Sequence, residues 1–195
     1  MFKRLSETPA EKGFTLIELL LSLSLGSLLF VVLLQLIGAD LRLGNTMASR
    51  LRESAQQRQT LELIRGELAM GSGWEVDPTP SHQWSCGMAG RQPVLAIGLD
   101  SSNTEVSSQT IVYSVGAAPS AIWRGQVLMR CGPAYGLDGV IRPGGQAQNR
   151  VLIDGLPKEG LGFQARQDPQ SKVLHLALEQ AVNGGSDHLR SAAVF

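Results

Sequence analysis

The sequence lacks most of what a catalytic or nucleic-acid-binding chain would show. Its 195 residues carry 17 basic and 17 acidic side chains, for a formal net charge of zero, whereas a nucleic-acid binder usually displays a basic face or stripe. Aromatic residues make up only 5% of the chain, leaving little on which single-stranded bases could stack. The three histidines, His82, His175 and His188, are scattered, with no H-x-H or H-E-x-x-H spacing, so a metal site built from them would need long-range coincidence. No G-x-S-x-G elbow is present. The glycine pairs at 144–145 and 184–185 have no helix signal behind them, so they read as turns and not phosphate cradles. Asp138, Asp154 and Asp187 lie beside glycine or loop residues, without a D-x-D-x-D run, and read as turn formers and not calcium ligands. No enzymatic activity, cofactor or metal is expected, and no nucleic-acid partner. The residual route to DNA would be a local basic patch around Arg124, Arg130 and Arg142.

Cysteine is equally sparse. Cys86 and Cys131 are the two in the chain, with no C-x-x-C spacing to suggest redox chemistry. In an exported domain they would form one disulfide, worth about 4 kcal/mol in the chain-entropy model. In a reducing compartment they would be two buried thiols.

What the chain does have is a long apolar run. Residues 1–13 are polar and include Lys3, Arg4 and Lys12, and residues 14–38 are almost wholly apolar. As a helix this run would be about 37 Å long, enough to cross a bilayer. The basic residues ahead of it predict a cytoplasmic N-terminus and an exported remainder. Helix-compatible sequence continues over 39–71. There Leu43, Met47, Leu51, Ser54, Arg58, Leu61, Ile64 and Leu68 recur at three-or-four spacing and predict the buried seam. Arg42, Arg50, Arg52, Glu53, Arg65 and Glu67 fall on the remaining surface. Gly38 and Gly44 mark places where the helix could bend, and Gly71–Trp74 supplies its stop.

Beyond residue 72 the pattern changes to short β-branched segments. Strands are predicted at Pro93–Leu99, Thr110–Val115, Ile122–Arg130, Arg150–Asp154, Leu161–Arg166 and Lys172–Glu179. In the last, Leu174, Leu176 and Leu178 share one face, with His175 and Glu179 on the other. Loops are expected at VDPTPS, SSNTEVSS, RPGGQAQN and NGGSD. Trp74, Trp84 and Trp123 are the large anchors of this part. The expected fold is α+β, with a long N-terminal helix, membrane-spanning in its first half and amphipathic in its second. Its second half packs on a small antiparallel sheet, in a β-rich head over 72–195.

The most informative residues are Lys12-Gly13-Phe14-Thr15-Leu16-Ile17-Glu18. A basic leader ends in glycine, an aromatic opens an apolar helix, and a single carboxylate follows one turn in. A carboxylate inside a membrane helix costs about 2.5–3.5 kcal/mol at its centre, so it calls for a function and a partner. A plain anchor could carry Glu18 by snorkelling. A secretory signal peptide is disfavoured because the run is too long and lacks a small-residue cleavage site at its end.

This string resembles the class III signal of type IV pilins and type II secretion pseudopilins. The resemblance is specific over 9–40 and loose beyond, where the pattern is similar to W-type minor pilins and J-type minor pseudopilins. It implies cleavage between Gly13 and Phe14 by a prepilin peptidase, N-methylation of Phe14 by the same enzyme, and an assembly role for Glu18 facing a neighbour's N-terminal amine. The implied partners are that peptidase, other minor and major pilin-like subunits met through the N-terminal helix, and the inner-membrane assembly machinery. The implied location is the inner membrane, then a pilus or a periplasmic pseudopilus. Gln35 stands where major pilins often carry a helix-bending proline, which argues against the major subunit. The function implied is that of a minor pilin in a type IV pilus or its initiating tip. The alternative is a minor pseudopilin of type II secretion, and a membrane-tethered binding or catalytic domain is a more distant rival. Loss of the leader, with Lys3, Arg4 and Lys12 against Glu7 and Glu11, would leave a mature charge of −1, which gives no electrostatic support for DNA binding.

Overall fold

A computed structural model describes residues 15–99, 109–141, 145–158, 162–171, 173–182 and 187–195. The chain divides into two compact units, 1–46 and 47–195. One helix, α1 (Leu16–Met70), supplies the described part of the first unit and opens the second. It continues through Gly38 and Gly44 without a break. In the first unit its apolar side chains, Leu16 through Leu43, are exposed all round. It is long and apolar enough to cross a membrane. The serines in this run keep their hydroxyls satisfied within the helix. Ser22 donates to the Glu18 carbonyl at 2.7 Å, Ser24 to Leu21 at 2.9 Å and Ser27 to Ser24 at 2.8 Å. None of these three hydroxyls is left without an acceptor, as a hydrocarbon environment would demand.

The second unit is α+β. After α1 come β1 (Gly73–Val76), β2 (Gln92–Leu99), β3 (Gln109–Ala117), β4 (Gln126–Pro133) and β5 (Ala147–Leu156), which form an antiparallel sheet in sequence order. A second antiparallel sheet follows, of β6 (Phe163–Gln167), β7 (Leu174–Val182) and β8 (Asp187–Val194). Two sheets, and not the single one expected, therefore enclose the core. Leu61 and Ile64 of α1, Ile97 and Ile111 of the larger sheet, and Leu174, Leu176 and Leu178 of the smaller meet in one buried cluster.

Four local expectations are corrected. β1 and β8 were not read, because one is four residues with a glycine and the other is rich in polar and small residues. The strand expected from Ile122 begins at Gln126, since Ser120–Trp123 closes a turn and Gly125 takes φ +58°. β5 starts inside the expected loop RPGGQAQN, at Ala147. Glu179 shares the outer face of β7 with His175 but is buried. It is covered by His188 and Arg190 of β8 at 3.0 and 3.2 Å.

The helix stop depends on glycine. The Gly71 N–H donates to the Glu67 carbonyl at 2.9 Å, and a Cβ at Gly71 would lie 2.5 Å from Ile97 Cγ2. Only a residue without a side chain lets the helix end approach β2 this closely. From there Ser72 donates its backbone N–H to the Gly98 carbonyl and the chain enters β1.

On the outer face of the larger sheet, Ala96, Val112 and Cys131 form a row across β2, β3 and β4. The β1–β2 connection folds over this row, with Trp84, Cys86 and Met88 packed against it. Cys86 and Cys131 are bonded, with Cα atoms 6.0 Å apart and a sequence separation of 45. The disulfide ties a long connection to the middle of the sheet. Replacing both cysteines by serine should lower the unfolding free energy of the full chain in detergent by about 4 kcal/mol. It should also red-shift the emission of Trp84. Urea titration followed by tryptophan fluorescence measures both, and an unchanged midpoint would show that the tether does not matter to stability.

Candidate functional site

The junction comes first. Gly13 and Phe14 lie outside the described residues, which begin at Thr15. Glu18, one turn into α1, is held by Thr15. The Thr15 backbone N–H donates to Glu18 Oε2 at 3.0 Å and its hydroxyl donates to the same oxygen at 2.9 Å. In return the Glu18 N–H donates to Thr15 Oγ1 at 3.4 Å. This is a capping box, reciprocally satisfying donors at the helix start. A carboxylate there also complements the positive end of the helix dipole. The T-x-x-E pattern of Thr15–Glu18 carries this signal in the sequence, which the reading of Glu18 as a membrane charge in need of a neighbour does not use. Its own chain already engages it.

The second constellation lies where α1 meets the two sheets, and it is polar. The buried positions of the helix are Glu53, Gln57, Thr60, Leu61, Ile64 and Glu67. They recur at three and four residues, as the seam of a packed helix must. The expected seam was wrong in its first half. Leu43, Met47 and Leu51 are 55–70% exposed, while Glu53 and Glu67, expected on the surface, are inside.

Glu67 is the centre of this seam. Arg130 Nε donates to Glu67 Oε1 at 2.6 Å, and both side chains are almost fully buried. The Tyr135 hydroxyl donates to the same oxygen and the Tyr113 hydroxyl to Oε2. Arg130 also donates to the Pro133 carbonyl at 3.2 Å and lies 5.1 Å from the Tyr135 ring centroid. Burial first, then the Glu67 charge and hydrogen bond, push the Tyr113 hydroxyl well above its ordinary pKa. The same causes raise Tyr135. Both phenols are thereby kept as donors. One carboxylate collects a guanidinium and two hydroxyls, the partners that a buried charge requires, while Arg130 Nη2 is buried without an acceptor.

Further along α1 the bonds continue. Arg124, in the β3–β4 connection, bridges Glu53 and Asp154, each at 3.3 Å. Hydrogen bonding to Asp154 is the leading cause that raises its pKa. Gln57 Nε2 donates to Gln180 Oε1 at 3.3 Å, and Ser191 Oγ donates to Gln57 Oε1 at 2.6 Å. Gln56 Nε2 donates to the Leu152 carbonyl of β5 at 2.9 Å. These residues fix the register of the helix against both sheets.

Two arginines of the suspected basic patch are thereby accounted for. Arg130 is buried on Glu67, Arg124 is committed to two carboxylates, and Arg142 lies outside the described residues. Those two do not form a free cationic surface. Asp154 serves that ion pair from within β5 and is not a turn former, and Asp187 opens β8. Asp138 does shape a turn, accepting from the Val140 N–H at 3.2 Å. His82 and His175 are exposed. Among the described residues no three His, Cys, Asp or Glu side chains come together as a metal-holding group. Trp74 packs half-buried on the main core, Trp84 belongs to the disulfide-tied connection and packs on the outer face of the larger sheet, and Trp123 is exposed.

Residues 8–34 match the family model of the prokaryotic N-terminal methylation motif. That span covers the end of the leader, the Gly13–Phe14 junction, Glu18 and most of the apolar run. No curated protein and no solved structure matches the chain.

The network yields two predictions. Replacing Glu67 by leucine leaves Arg130 buried and unpaired and should cost about 3–5 kcal/mol. Arg124→Ala, at a half-exposed pair, should cost under about 1 kcal/mol. Urea unfolding of the two variants side by side gives the comparison, and equal losses would refute the ranking. The second concerns alkaline pH. The chain has two tyrosines, and both donate to Glu67. Their folded pKa values are raised, so the stability they contribute is full below the unfolded value of about 10 and is lost as pH rises through the folded values. Tyrosinate absorbance at high pH should therefore appear only together with unfolding. Reversible ionisation near pH 10 with the fold intact would contradict the arrangement.

Proposed function

We propose that this chain, pilin-like in its N-terminal methylation motif and its α+β architecture, is a minor pilin-like structural subunit. A prepilin peptidase cuts it between Gly13 and Phe14 and methylates the new N-terminus at Phe14. The chain sits in the inner membrane by a single pass, N-terminus cytoplasmic before processing, and then assembles into a type IV pilus or its initiating tip complex. The role is non-catalytic. The observation that carries the proposal is the match over 8–34, which spans the cleavage junction and runs into a helix fit to cross a membrane. Both features fit a membrane-anchored pilin-like protein. The basic residues Lys3, Arg4 and Lys12 ahead of the run support the orientation. The lack of a proline in the run supports a minor subunit over a major one.

In this role α1 has two tasks. Its apolar part packs among the helices of other subunits, and its polar seam holds the head in one register on that shaft. Glu18 supplies the single charge of the apolar part. Within its own chain it caps the helix, and in the assembly it meets the N-terminal amine of a neighbour. A charge buried among apolar helices is strongly directional because any other register leaves it unpaired.

Intact-mass measurement of the membrane-extracted chain, with and without a prepilin peptidase, tests the proposal. Loss of residues 1–13 and gain of one methyl group should appear only with the peptidase. A full-length mass in both samples would reduce the chain to a plain anchored protein. Glu18→Gln separates the two tasks of that residue. Glutamine retains the capping-box acceptor but not the charge, so cleavage and helix content should persist while recovery of assembled complexes falls. Normal assembly with Glu18→Gln would leave Glu18 only its capping role.

A further inference from the structure

Along one flank of the second unit, α1 and β5 border an open cleft of about 590 Å³. Arg52, Gln56 and Gln59 line it from the helix, Arg150 and Val151 from the strand, and Leu63 adds to an apolar floor. None of its nine lining residues is acidic or aromatic. Elsewhere along the helix–sheet boundary the arginines are matched: Arg130 by Glu67, and Arg124 by Glu53 and Asp154. Arg52 and Arg150 are exposed and line this cleft from its helix side and its strand side, with no carboxylate among its lining residues.

The strand beside them is the last of its sheet. Side-chain amides occupy two of its backbone acceptors near the C-terminal end, Gln56 at the Leu152 carbonyl and Gln180 at the Asp154 carbonyl. Ahead of Leu152, β5 has no further strand on its outer side among the described residues. An unpaired strand edge is a template for strand addition. Two arginines flanking it select the charge of what is added.

We propose that this cleft takes an extended, acidic segment of a partner pilin-like subunit, added as a strand along β5 with its carboxylates on Arg52 and Arg150. The inference rests on the reading of the chain as an assembled subunit, which supplies the partner. Glutamines 56 and 59 offer amides to its backbone, and Leu63 and Val151 receive its inward-facing apolar side chains. A single-stranded nucleic acid would satisfy the two charges as well, but the cleft has no aromatic surface on which bases could stack.

The test uses the full-length chain in detergent micelles and a fluorescein-labelled peptide of sequence TVEVTVEVT, followed by anisotropy. Two control peptides replace its glutamates by lysine or its alternate residues by proline, which cannot complete a strand ladder. The glutamate peptide should bind saturably, and both controls about tenfold more weakly or worse. The double variant R52E/R150E, both positions being exposed, should keep the wild-type melting curve and reverse the preference in favour of the lysine peptide. Equal binding of the glutamate and lysine peptides, no response to the charge reversal, or no binding at millimolar peptide would overturn the proposal. So would oligothymidylate binding that depends on the two arginines while peptide binding does not, which would assign the cleft to nucleic acid. Removal of residues 1–13 by the peptidase reads the parent proposal separately, so the failure of one is distinguishable from the failure of the other.

Discussion

A single buried carboxylate organises the head. Glu67, three residues from the end of α1, accepts from Arg130 of β4, from Tyr113 of β3 and from Tyr135 just beyond β4. Taking that charge out of water would cost several kcal/mol, which its attraction to Arg130 offsets together with the two phenol donors. The consequence is an all-or-nothing arrangement. A shift of α1 by one residue would turn Glu67 away from three donors at once and strand Arg130. Apolar contacts at Leu61 and Ile64 favour burial of the helix but would tolerate several registers. The polar contacts permit one.

The same logic explains why the seam of α1 is richer in Glu, Gln and Thr than a helix facing two sheets usually is. Glu53, Gln57 and Thr60 occupy the positions where an apolar side chain would contribute more transfer free energy. Glu53 and Gln57 add specificity, since each has a partner on a different element: Glu53 on the β3–β4 connection, Gln57 on β7 and β8. The sheets differ in what they give back. The larger one contributes ionic partners and the smaller one mainly an apolar face and amides.

Much of this was legible in the sequence. The boundaries of α1 followed from the apolar run and the glycine after Met70, and β2, β3, β5 and β7 from β-branched runs between turn residues. The junction of Gly13, Phe14 and Glu18 stood out by its order alone. The seam did not. A reading by hydrophobic period selects leucine and methionine, and so favours Leu43, Met47 and Leu51, which are exposed. The true seam carries charge, and a buried charge is announced only by its partners. Those of Glu67 lie 46, 63 and 68 residues away in sequence, with no local pattern linking them to it. β1 and β8 were missed for a related reason. Both end their sheets, where one face or edge meets solvent and alternation is weak. The suggested basic patch loses two of its arginines because Arg124 and Arg130 are spent on carboxylates that the sequence places elsewhere.

The spacing of the helix–sheet bonds also bears on how the head responds to force. From Glu53 to Glu67 the fastenings extend over about 21 Å of helix axis, and each crosses from α1 to a strand or connection beside it. A pull along the helix loads them side by side and in shear, so that none yields before its neighbours share the strain. A hinge or zipper arrangement would let them fail one after another at a much lower tension. Dragging the shaft lengthwise is thus the direction in which this head is hardest to strip from its helix.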